Sequence, residues 1–266
     1  MIISRTPLRI SFFGGGTDYP AYYEEDGGAV LSSSINKFSY VTCRYLPPFF
    51  EYKYAIRYRK REETRHVSEI QHPSVRECLN FLNIDDGVEI QHSADLPAMS
   101  GLGSSSAFTV GLLNTLYALT GTIKTKRQLA LDAIHVEQDR IGENVGSQDQ
   151  TIAAFGGFNK IEFGGLQKIM VSPITIGQNK IDSLQNHLML FFTGFSRNAS
   201  DIAAEQIRKT RENRMKLKAM KGMVQGALNI LTSSPDGMAD FGRLLHETWK
   251  IKRGLTPRIT NSSIDE

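Results

Sequence analysis

A glycine- and serine-rich turn at residues 97–107 runs directly into an apolar segment with helical spacing. Its sequence is Pro-Ala-Met-Ser-Gly-Leu-Gly-Ser-Ser-Ser-Ala. Gly101 and Gly103 allow a tight turn whose N–H groups approach an anion, and the unpaired amides at the start of the next helix add a positive dipole end. Serine hydroxyls there can hold a magnesium ion or a phosphate oxygen. The turn predicts a phosphate-binding loop that opens a helix.

Two better-known nucleotide signatures do not fit this turn. The chain has no Gly-x-x-x-x-Gly-Lys-Ser/Thr sequence, and no Gly-x-Gly-x-x-Gly stands between a strand and a helix with an acid placed for a ribose. A plain helix cap is the alternative interpretation, because serine is a preferred N-cap residue. The turn alone leaves both interpretations open.

Two other polar segments favour the phosphate loop. In residues 7–18 an alternating strand pattern stops at three glycines and then offers a hydroxyl and a carboxylate, groups that suit a polyol. Residues 137–150 comprise a helix with an acid, Glu137, near its end and a polar loop in which Asp149 stands between two amides. One acid for a metal and one acid for a hydroxyl fit that layout.

In this order the three segments resemble the motifs of the GHMP small-molecule kinases, named for galactokinase, homoserine kinase, mevalonate kinase and phosphomevalonate kinase. The resemblance covers essentially the whole chain. Within the superfamily, three stretches are most similar to the bacterial D-glycero-D-manno-heptose 7-phosphate kinases. They are residues 14–18 (Gly-Gly-Gly-Thr-Asp), 143–150 (Glu-Asn-Val-Gly-Ser-Gln-Asp-Gln) and 193–197 (Thr-Gly-Phe-Ser-Arg).

The resemblance implies a catalytic pair. Asp149 matches the aspartate of the sugar-kinase branch, which would accept the proton of the sugar's anomeric hydroxyl or orient that hydroxyl. Arg9 stands where relatives carry the cation that keeps this acid ionised. The alternative for Asp149 is a residue that caps its loop. Phosphoryl transfer depends on positioning and charge stabilisation, which these two residues would supply.

The same resemblance assigns the nucleotide and its metal. Glu137 and Ser105 would hold Mg²⁺, leaving other positions to phosphate oxygens and water. The alternative for Glu137 is a solvated helix acid paired with Arg140, three residues on. The residues predicted to bind ATP are Pro97, Gly101, Leu102, Gly103, Ser104, Ser105 and Ser106.

The first motif would bind the sugar, with Thr17 and Asp18 contacting ring hydroxyls. A phosphorylated sugar also needs a basic residue at its far end. Arg197, at a loop that enters a helix, is the first candidate, and Lys252 and Arg253 are second candidates. The residues predicted to bind substrate are Gly15, Gly16, Thr17, Asp18, Gln148 and Arg197.

A strand-rich first part followed by a helix-rich second part indicates an α+β protein. The predicted strands lie within residues 1–60, with turns at 14–16, 26–28 and 47–48, and at 87–93, 156–163 and 187–193. The predicted helices are 105–120, 126–142, 199–213, 215–231 and 238–252, with a helix or turn at 150–155.

The resemblance implies a two-lobed GHMP kinase fold. Residues 1–165 would form an N-terminal lobe similar to ribosomal protein S5 domain 2, with the substrate motif, the phosphate loop and the catalytic aspartate. Residues 166–266 would form a C-terminal lobe in which helices back an antiparallel sheet. Members normally carry a third glycine-rich motif near the C-terminus, and nothing after Gly254 matches it. We therefore expect a truncated C-terminal lobe.

Size and composition are those of a globular enzyme. The chain has 266 residues, 40% of them hydrophobic, enough for one large or two modest domains. No apolar run approaches membrane-spanning length and the N-terminus is typical of a strand rather than a signal peptide, so we expect a cytoplasmic protein without a membrane partner. Two cysteines, Cys43 and Cys78, without metal-ligand spacing argue against a disulfide framework and against zinc.

The net charge of +3 suits phosphorylated small molecules. The densest basic cluster, residues 57–65, follows and interleaves with aromatic residues, a combination that can bind single-stranded nucleic acid. Its alternation favours a strand with one solvated face instead, and Glu62 and Glu63 dilute the positive charge. We predict no nucleic-acid partner and leave a homo-oligomer open.

The first functional hypothesis is an ATP- and Mg²⁺-dependent sugar kinase. It would phosphorylate the anomeric hydroxyl of D-glycero-D-manno-heptose 7-phosphate to the 1,7-bisphosphate, in the biosynthesis of nucleotide-activated heptose. A fucokinase- or galactokinase-like kinase of a neutral sugar is the alternative in the same class. A sugar- or nucleotide-binding sensor with the same fold and no turnover is the alternative from another class. A related decarboxylase is a fourth hypothesis, disfavoured by the form of the first motif.

Overall fold

The computed structural model describes residues 1–98, 100–164, 169–191, 199–233 and 237–265. Its strands are β1 (Ile2–Phe13), β2 (Gly28–Tyr45), β3 (Tyr54–Arg57), β4 (Arg61–Thr64), β5 (Val88–Ala94), β6 (Phe158–Phe163) and β7 (Ile169–Pro173). Its α-helices are α1 (Pro20–Asp26), α2 (Pro73–Phe81), α3 (Ser104–Leu119), α4 (Lys126–His135), α5 (Gln148–Phe155), α6 (Gln178–Asn186), α7 (Ala199–Arg208), α8 (Arg214–Ser233), α9 (Met238–Arg253) and α10 (Ser262–Asp265). A short 3-10 turn spans Val67–Glu69, and a π-helical segment, Val136–Ile141, continues α4.

The chain divides into two compact units that interleave along the sequence. The first unit comprises Met1–Ile10, Ser34–Glu143 and Asp149–Gly156, and the second comprises Ser11–Ser33, Asn144–Gln148 and Gly157–Glu266. The chain therefore changes unit between Ile10 and Ser11, and again between Gln148 and Asp149. The predicted lobe boundary near residue 165 falls at 165–168, outside the described residues, and stays a prediction.

In the first unit, the second half of β2 pairs antiparallel with β5, β5 pairs parallel with β3, and β3 pairs antiparallel with β4. Helices α2, α3 and α4 contribute apolar side chains to one core with these strands. Helix α3 is apolar on nearly all faces, as expected for a helix buried in such a core. Its largest fully buried side chains are Leu112, Leu113 and Leu116.

Helix α3 packs closely on the start of β1. A Cβ at Gly111 would lie 2.6 Å from Thr6 Oγ1 and 3.1 Å from Ser4 Oγ, so a larger residue would push the helix off the strand. The Ser4 hydroxyl donates a hydrogen bond to the Gly111 carbonyl at 2.9 Å. This contact fixes the position of α3, and with it the glycine-rich turn at its N-terminus, relative to β1.

In the second unit, the first half of β2 pairs antiparallel with β6, and β6 pairs antiparallel with β7. The end of β1 packs against α9 through aromatic rings. The ring centroids of Phe12 and Phe13 lie 5.6 and 5.1 Å from that of Phe241, with the rings edge to face. Tyr22, Leu217, Met220 and Leu255 form a further apolar cluster in this unit.

A buried threonine holds the turn that follows β1. Thr17 is fully buried, and its hydroxyl lies 2.8 Å from the Gly14 carbonyl and 2.9 Å from the Ala29 carbonyl, and accepts a hydrogen bond from the Ala29 N–H. These bonds join the turn to the start of β2. The Thr17 side chain, predicted to bind ring hydroxyls, is therefore engaged with the backbone in this structure.

The predicted strands and helices are largely confirmed where their periodicity is clear. The strand at 187–193 is wrong for residues 187–191, which form no strand, and residues 192–193 lie outside the described part of the chain. No described strand pairs with this segment, and Met189, Leu190 and Phe191 are exposed. The structure also contains elements that the sequence analysis does not predict, namely the short helices α1, α2 and α6 and the strands β4 and β7.

None of the helices in the described ranges combines the length and the uninterrupted apolar character that crossing a bilayer would require.

We expect Thr17→Val to lower the free energy of unfolding by about 1–3 kcal/mol, because valine keeps the shape but leaves two backbone carbonyls and one N–H without the hydroxyl. Urea denaturation of the purified chain measures this loss. Thr17→Ser keeps the hydroxyl and is the matched control. Equal stabilities of Thr17→Val and the parent would contradict a structural role for the hydroxyl.

Candidate active site

The glycine-rich turn leads into the N-terminus of the long helix α3, which no side chain of its N-cap residue caps. Gly101 and Gly103 both have left-handed backbone conformations, with φ of +76° and +73°, which glycine adopts without strain. Gly103 is itself the N-cap of α3 and has no side chain with which to cap it. The alternative of a serine N-cap is therefore wrong. The N–H groups of the first turn of α3 are in the arrangement that binds phosphate at helix N-termini.

Arg9 ties the turn to β1. Its backbone N–H donates to the Leu102 carbonyl at 3.0 Å, and its Nη1 donates to the Gly101 carbonyl at 2.8 Å. The remaining guanidinium nitrogens face Asp149, with Nε donating to Oδ1 and Nη2 to Oδ2, both at 2.7 Å. This is a two-bond, fork-to-fork pair, the strongest geometry for an arginine and a carboxylate. The predicted catalytic residues Arg9 and Asp149 are thus in direct contact.

Gly103 contacts this pair. A Cβ at Gly103 would lie 3.1 Å from Arg9 Cγ and 3.5 Å from Asp149 Oδ2. The carboxylate of Asp149 therefore lies beside the backbone of the predicted phosphate loop. Asp149 is also in the first turn of α5, where the helix dipole favours a negative charge.

Glu137 lies at the centre of a second polar cluster. It is fully buried, in the π-helical segment after α4, and its Oε2 accepts hydrogen bonds from Ser106 Oγ at 2.8 Å and from Gln150 Nε2. Glu137 is therefore not a solvated acid paired with Arg140, and that alternative is wrong. The Nη2 of Arg140 instead lies 3.4 Å from Oε2 of Glu77. Burial raises the pKa of Glu137 to about 7, while hydrogen bonds from Thr109, Ser106 and Gln150 oppose that rise.

Two oxygens of this cluster suit a divalent cation. Glu137 Oε1 and Gln150 Oε1 are buried and have no hydrogen-bond partner among the described residues. Carboxylate, amide and hydroxyl oxygens are the ligands that Mg²⁺ prefers, and it is commonly held by one or two carboxylates with phosphates and water. The donor set therefore fits the ion. The described ranges contain no group of three or more His, Cys, Asp or Glu residues that could hold a metal by themselves.

The three serines of the turn differ in their surroundings. Ser106 is buried and its hydroxyl donates a hydrogen bond to Glu137, whereas Ser105 is exposed and Ser104, at the start of the helix, is half-buried. The structure thus gives Glu137 the hydroxyl of Ser106, whereas the sequence prediction paired it with that of Ser105. Of the other predicted ATP-binding residues, Pro97 is exposed and Leu102 packs against the core of the first unit.

In the second unit, Asp18 joins the first motif to the polar loop before α5. The carboxylate is almost fully buried, and its Oδ1 accepts a hydrogen bond from the Gly16 N–H at 2.8 Å. A Cβ at Gly146 would lie 1.8 Å from Asp18 Oδ2, so only glycine allows the loop to pass over this carboxylate. The Ser147 N–H donates to the Asp18 carbonyl at 2.9 Å.

The other predicted substrate residues are partly described. Gly15 is buried, and the amide of Gln148 lies near it, so these two predicted residues come together. Arg197 and the rest of 193–197 lie outside the described residues, and the role of Arg197 stays a prediction. Thr109 and Gln150 were not predicted as site residues, although Gln150 directly follows Asp149 in the motif.

The first unit thus combines a glycine-rich helix N-terminus, a paired aspartate and a buried glutamate, groups whose chemistry suits phosphoryl transfer. Residues 71–157 match the family described as "GHMP kinases N terminal domain". Residues 71–157 are therefore similar to a GHMP kinase N-terminal domain, and the predicted class, an ATP-dependent phosphotransferase acting on an alcohol group, is confirmed.

Similar proteins agree with this assignment. D-glycero-alpha-D-manno-heptose 7-phosphate kinase of Campylobacter jejuni is 27% identical, over 99% of this chain and 80% of its own length. L-fucokinase/L-fucose-1-P guanylyltransferase of Bacteroides fragilis is 24% identical, over 100% of this chain and 32% of its own length. The crystal structure of a D-glycero-D-manno-heptose 1-phosphate kinase from Bacteroides thetaiotaomicron superposes with a TM-score of 0.76 and 24% identity, over 95% of this chain and 79% of that one. The predicted fold class is confirmed.

We expect the metal- and nucleotide-free protein to lose stability as the pH rises from about 4.5 to about 7. In that range folded Glu137, with a pKa of about 7, keeps a proton that the unfolded chain, with an ordinary pKa of 4.5, has lost. The raised pKa of Glu137 contributes on the order of 3 kcal/mol to the free energy of unfolding, and this contribution is fully present below pH 4.5. Thermal melts in EDTA across this range measure it. Glu137→Gln should flatten this part of the profile, and an unchanged slope would contradict the assignment.

Proposed function

We propose that this chain is a sugar kinase that transfers the γ-phosphoryl group of ATP to the anomeric hydroxyl of D-glycero-D-manno-heptose 7-phosphate, giving the 1,7-bisphosphate. The substrate class rests on the Campylobacter jejuni relative named above, which is 27% identical over 99% of this chain. The chemistry rests on one observation in this structure. The Arg9–Asp149 pair lies against Gly103, in the loop that opens α3.

Asp149 would act as the base of the reaction. Its carboxylate is 25% exposed, so one side remains open to a substrate hydroxyl. The guanidinium of Arg9 stays charged throughout and holds both carboxylate oxygens in one plane. When the hydroxyl oxygen bonds to the γ-phosphorus and the bond to the β-phosphate oxygen breaks, the hydroxyl proton passes to Asp149.

The loop at residues 101–106 and the first-turn amides of α3 would hold the triphosphate. Glu137, with the hydroxyls of Ser105 and Ser106, would hold Mg²⁺. The ion supplies positive charge for the phosphate oxygens when it is bound. Glu137, with its raised pKa, would be ionised beside such a cation, because an opposite charge lowers the pKa of a carboxyl.

A neutral-sugar kinase is the second candidate. The Bacteroides fragilis relative is named a fucokinase, although its similarity to this chain covers 32% of its length. Asp18 would contact sugar hydroxyls under either candidate, so the first motif does not separate them. The two candidates are separated by whether turnover requires a phosphate group on the sugar.

A coupled assay of ADP release tests the proposed function directly. Mg²⁺-ATP is supplied with heptose 7-phosphate, heptose, L-fucose or galactose in parallel. We expect turnover with heptose 7-phosphate. Turnover with neutral sugars alone would support the second candidate. Binding of sugar and nucleotide without any turnover would support a sensor.

Asp149→Ala should lower kcat by about 10²- to 10⁴-fold, the range for loss of a general base, and leave ATP binding nearly intact. Nucleotide binding is measured by calorimetry and kcat by the coupled assay. Asp139→Asn is the matched control, because Asp139 is an exposed acid paired only with His135 among the contacts of the described residues. Parallel losses of turnover and ATP binding would remove Asp149 from the role of base.

A further inference from the structure

Gln150 has an amide group whose burial is not explained by stability. The residue is fully buried, although glutamine is seldom found in a protein interior unless its amide is hydrogen-bonded. Its Nε2 donates a hydrogen bond to Glu137 Oε2, but its Oε1 has no hydrogen-bond partner among the described residues. An apolar side chain of similar size would avoid the cost of that unpartnered oxygen. The amide therefore calls for a reason other than stability.

One oxygen of Glu137 receives the donors of two different helices. Ser106, in the first turn of α3, donates to Glu137 Oε2 at 2.8 Å, and Gln150, in the first turn of α5, donates to the same oxygen. The other oxygen, Glu137 Oε1, is buried and has no hydrogen-bond partner in the described part of the chain. The two donors thus fix one side of the carboxylate and leave its other side without a donor.

The two unpartnered oxygens have the chemistry of metal ligands. An ionised carboxylate and an amide carbonyl can only accept hydrogen bonds, so neither Glu137 Oε1 nor Gln150 Oε1 can satisfy the other. Both are oxygen atoms of the kinds that bind Mg²⁺. In metal sites, the residues that hydrogen-bond a ligand orient it toward the ion, and they are needed for metal affinity. Gln150 stands in this relation to Glu137.

We propose that Gln150 is a positioning residue for the divalent cation that accompanies ATP. Its Nε2 holds Oε2 of Glu137, and this hydrogen bond keeps Oε1 of Glu137 for the cation. Because Gln150 directly follows Asp149, the turn of α5 that carries the proposed base also orients the proposed metal ligand. The inference rests on the proposed role of Glu137 and does not depend on which sugar is the substrate. Gln150 acts through Glu137, and no bond is made or broken at its amide.

Binding of Mn²⁺, a paramagnetic substitute for Mg²⁺, tests this inference without turnover. The full chain is titrated in the presence of a non-hydrolysable ATP analogue, and the free ion is followed by electron paramagnetic resonance. Gln150→Met should weaken Mn²⁺ binding by about 10- to 100-fold, the usual effect of removing a group that orients a metal ligand. Gln150→Asn, which keeps an amide but is one methylene shorter, should have the same effect.

Two controls separate positioning from a general loss of structure. Thr115→Val removes another buried hydrogen bond of the first unit, to the Gly111 carbonyl, and should bind Mn²⁺ as the parent does. In a Glu137→Gln background, Gln150→Met should change the Mn²⁺ affinity by less than about twofold, because Gln150 acts through the carboxylate. Losses that multiply in the double variant would overturn the inference. If Gln150→Met does not fold, Gln150→Asn takes its place in this cycle.

The same titrations separate this inference from the proposed function. If the parent binds Mn²⁺ with the analogue but does not phosphorylate heptose 7-phosphate, the proposed substrate fails, while a loss of Mn²⁺ affinity in Gln150→Met still supports the positioning role. If Glu137→Gln weakens Mn²⁺ binding but Gln150→Met binds the ion as the parent does, only the role of Gln150 is overturned. If Glu137→Gln itself binds Mn²⁺ as the parent does, the proposed role of Glu137 fails and this inference fails with it.

Discussion

The contact between Arg9 and Asp149 organises the first unit around its predicted chemistry. One guanidinium donates to both oxygens of a carboxylate 140 residues away and to a carbonyl of the glycine-rich turn 92 residues away, while the backbone of the same residue bonds to Leu102. The strand β1, the turn and the helix α5 are thus held by a single side chain. Any movement of the glycine-rich turn would be transmitted to Asp149, the proposed base, because both are bonded to the same rigid, planar group.

The two acids of the candidate site, Asp149 and Glu137, have opposite surroundings. Asp149 faces a permanent cation and is partly exposed, whereas Glu137 is fully buried among neutral donors and has a pKa raised to about 7. Two carboxyl groups in different environments can serve different roles, one accepting a proton and the other contacting a metal. The unpartnered Glu137 Oε1 is consistent with this division, since a buried acceptor left without a donor can be satisfied by a cation.

The sequence predicts local features such as turns well, but it does not predict which side chain of a helix meets a partner far along the chain. The glycines at 101 and 103 and the helix that follows them are predicted from the residues themselves, because turn chemistry is local. The Arg9–Asp149 pair joins residues 140 positions apart, and its prediction depends on the resemblance to the GHMP kinases. The sequence does not tell which of the three consecutive serines contacts Glu137. One step along a helix rotates a side chain by about 100°, and the position of Glu137, 31 residues away, decides which serine faces it. The segment 187–191 shows the same limit: its apolar run is typical of a strand, but a strand also requires a partner for its backbone.

Gln148 and Asp149 are consecutive residues in the first turn of α5, and their side chains leave the helix in directions about 100° apart. The two side chains therefore have different neighbours. The Gln148 amide lies near Gly15, whereas the Asp149 carboxylate bonds to Arg9 and lies beside Gly103. A substitution that shifted this turn would disturb both sets of contacts, because a single peptide bond joins the two residues.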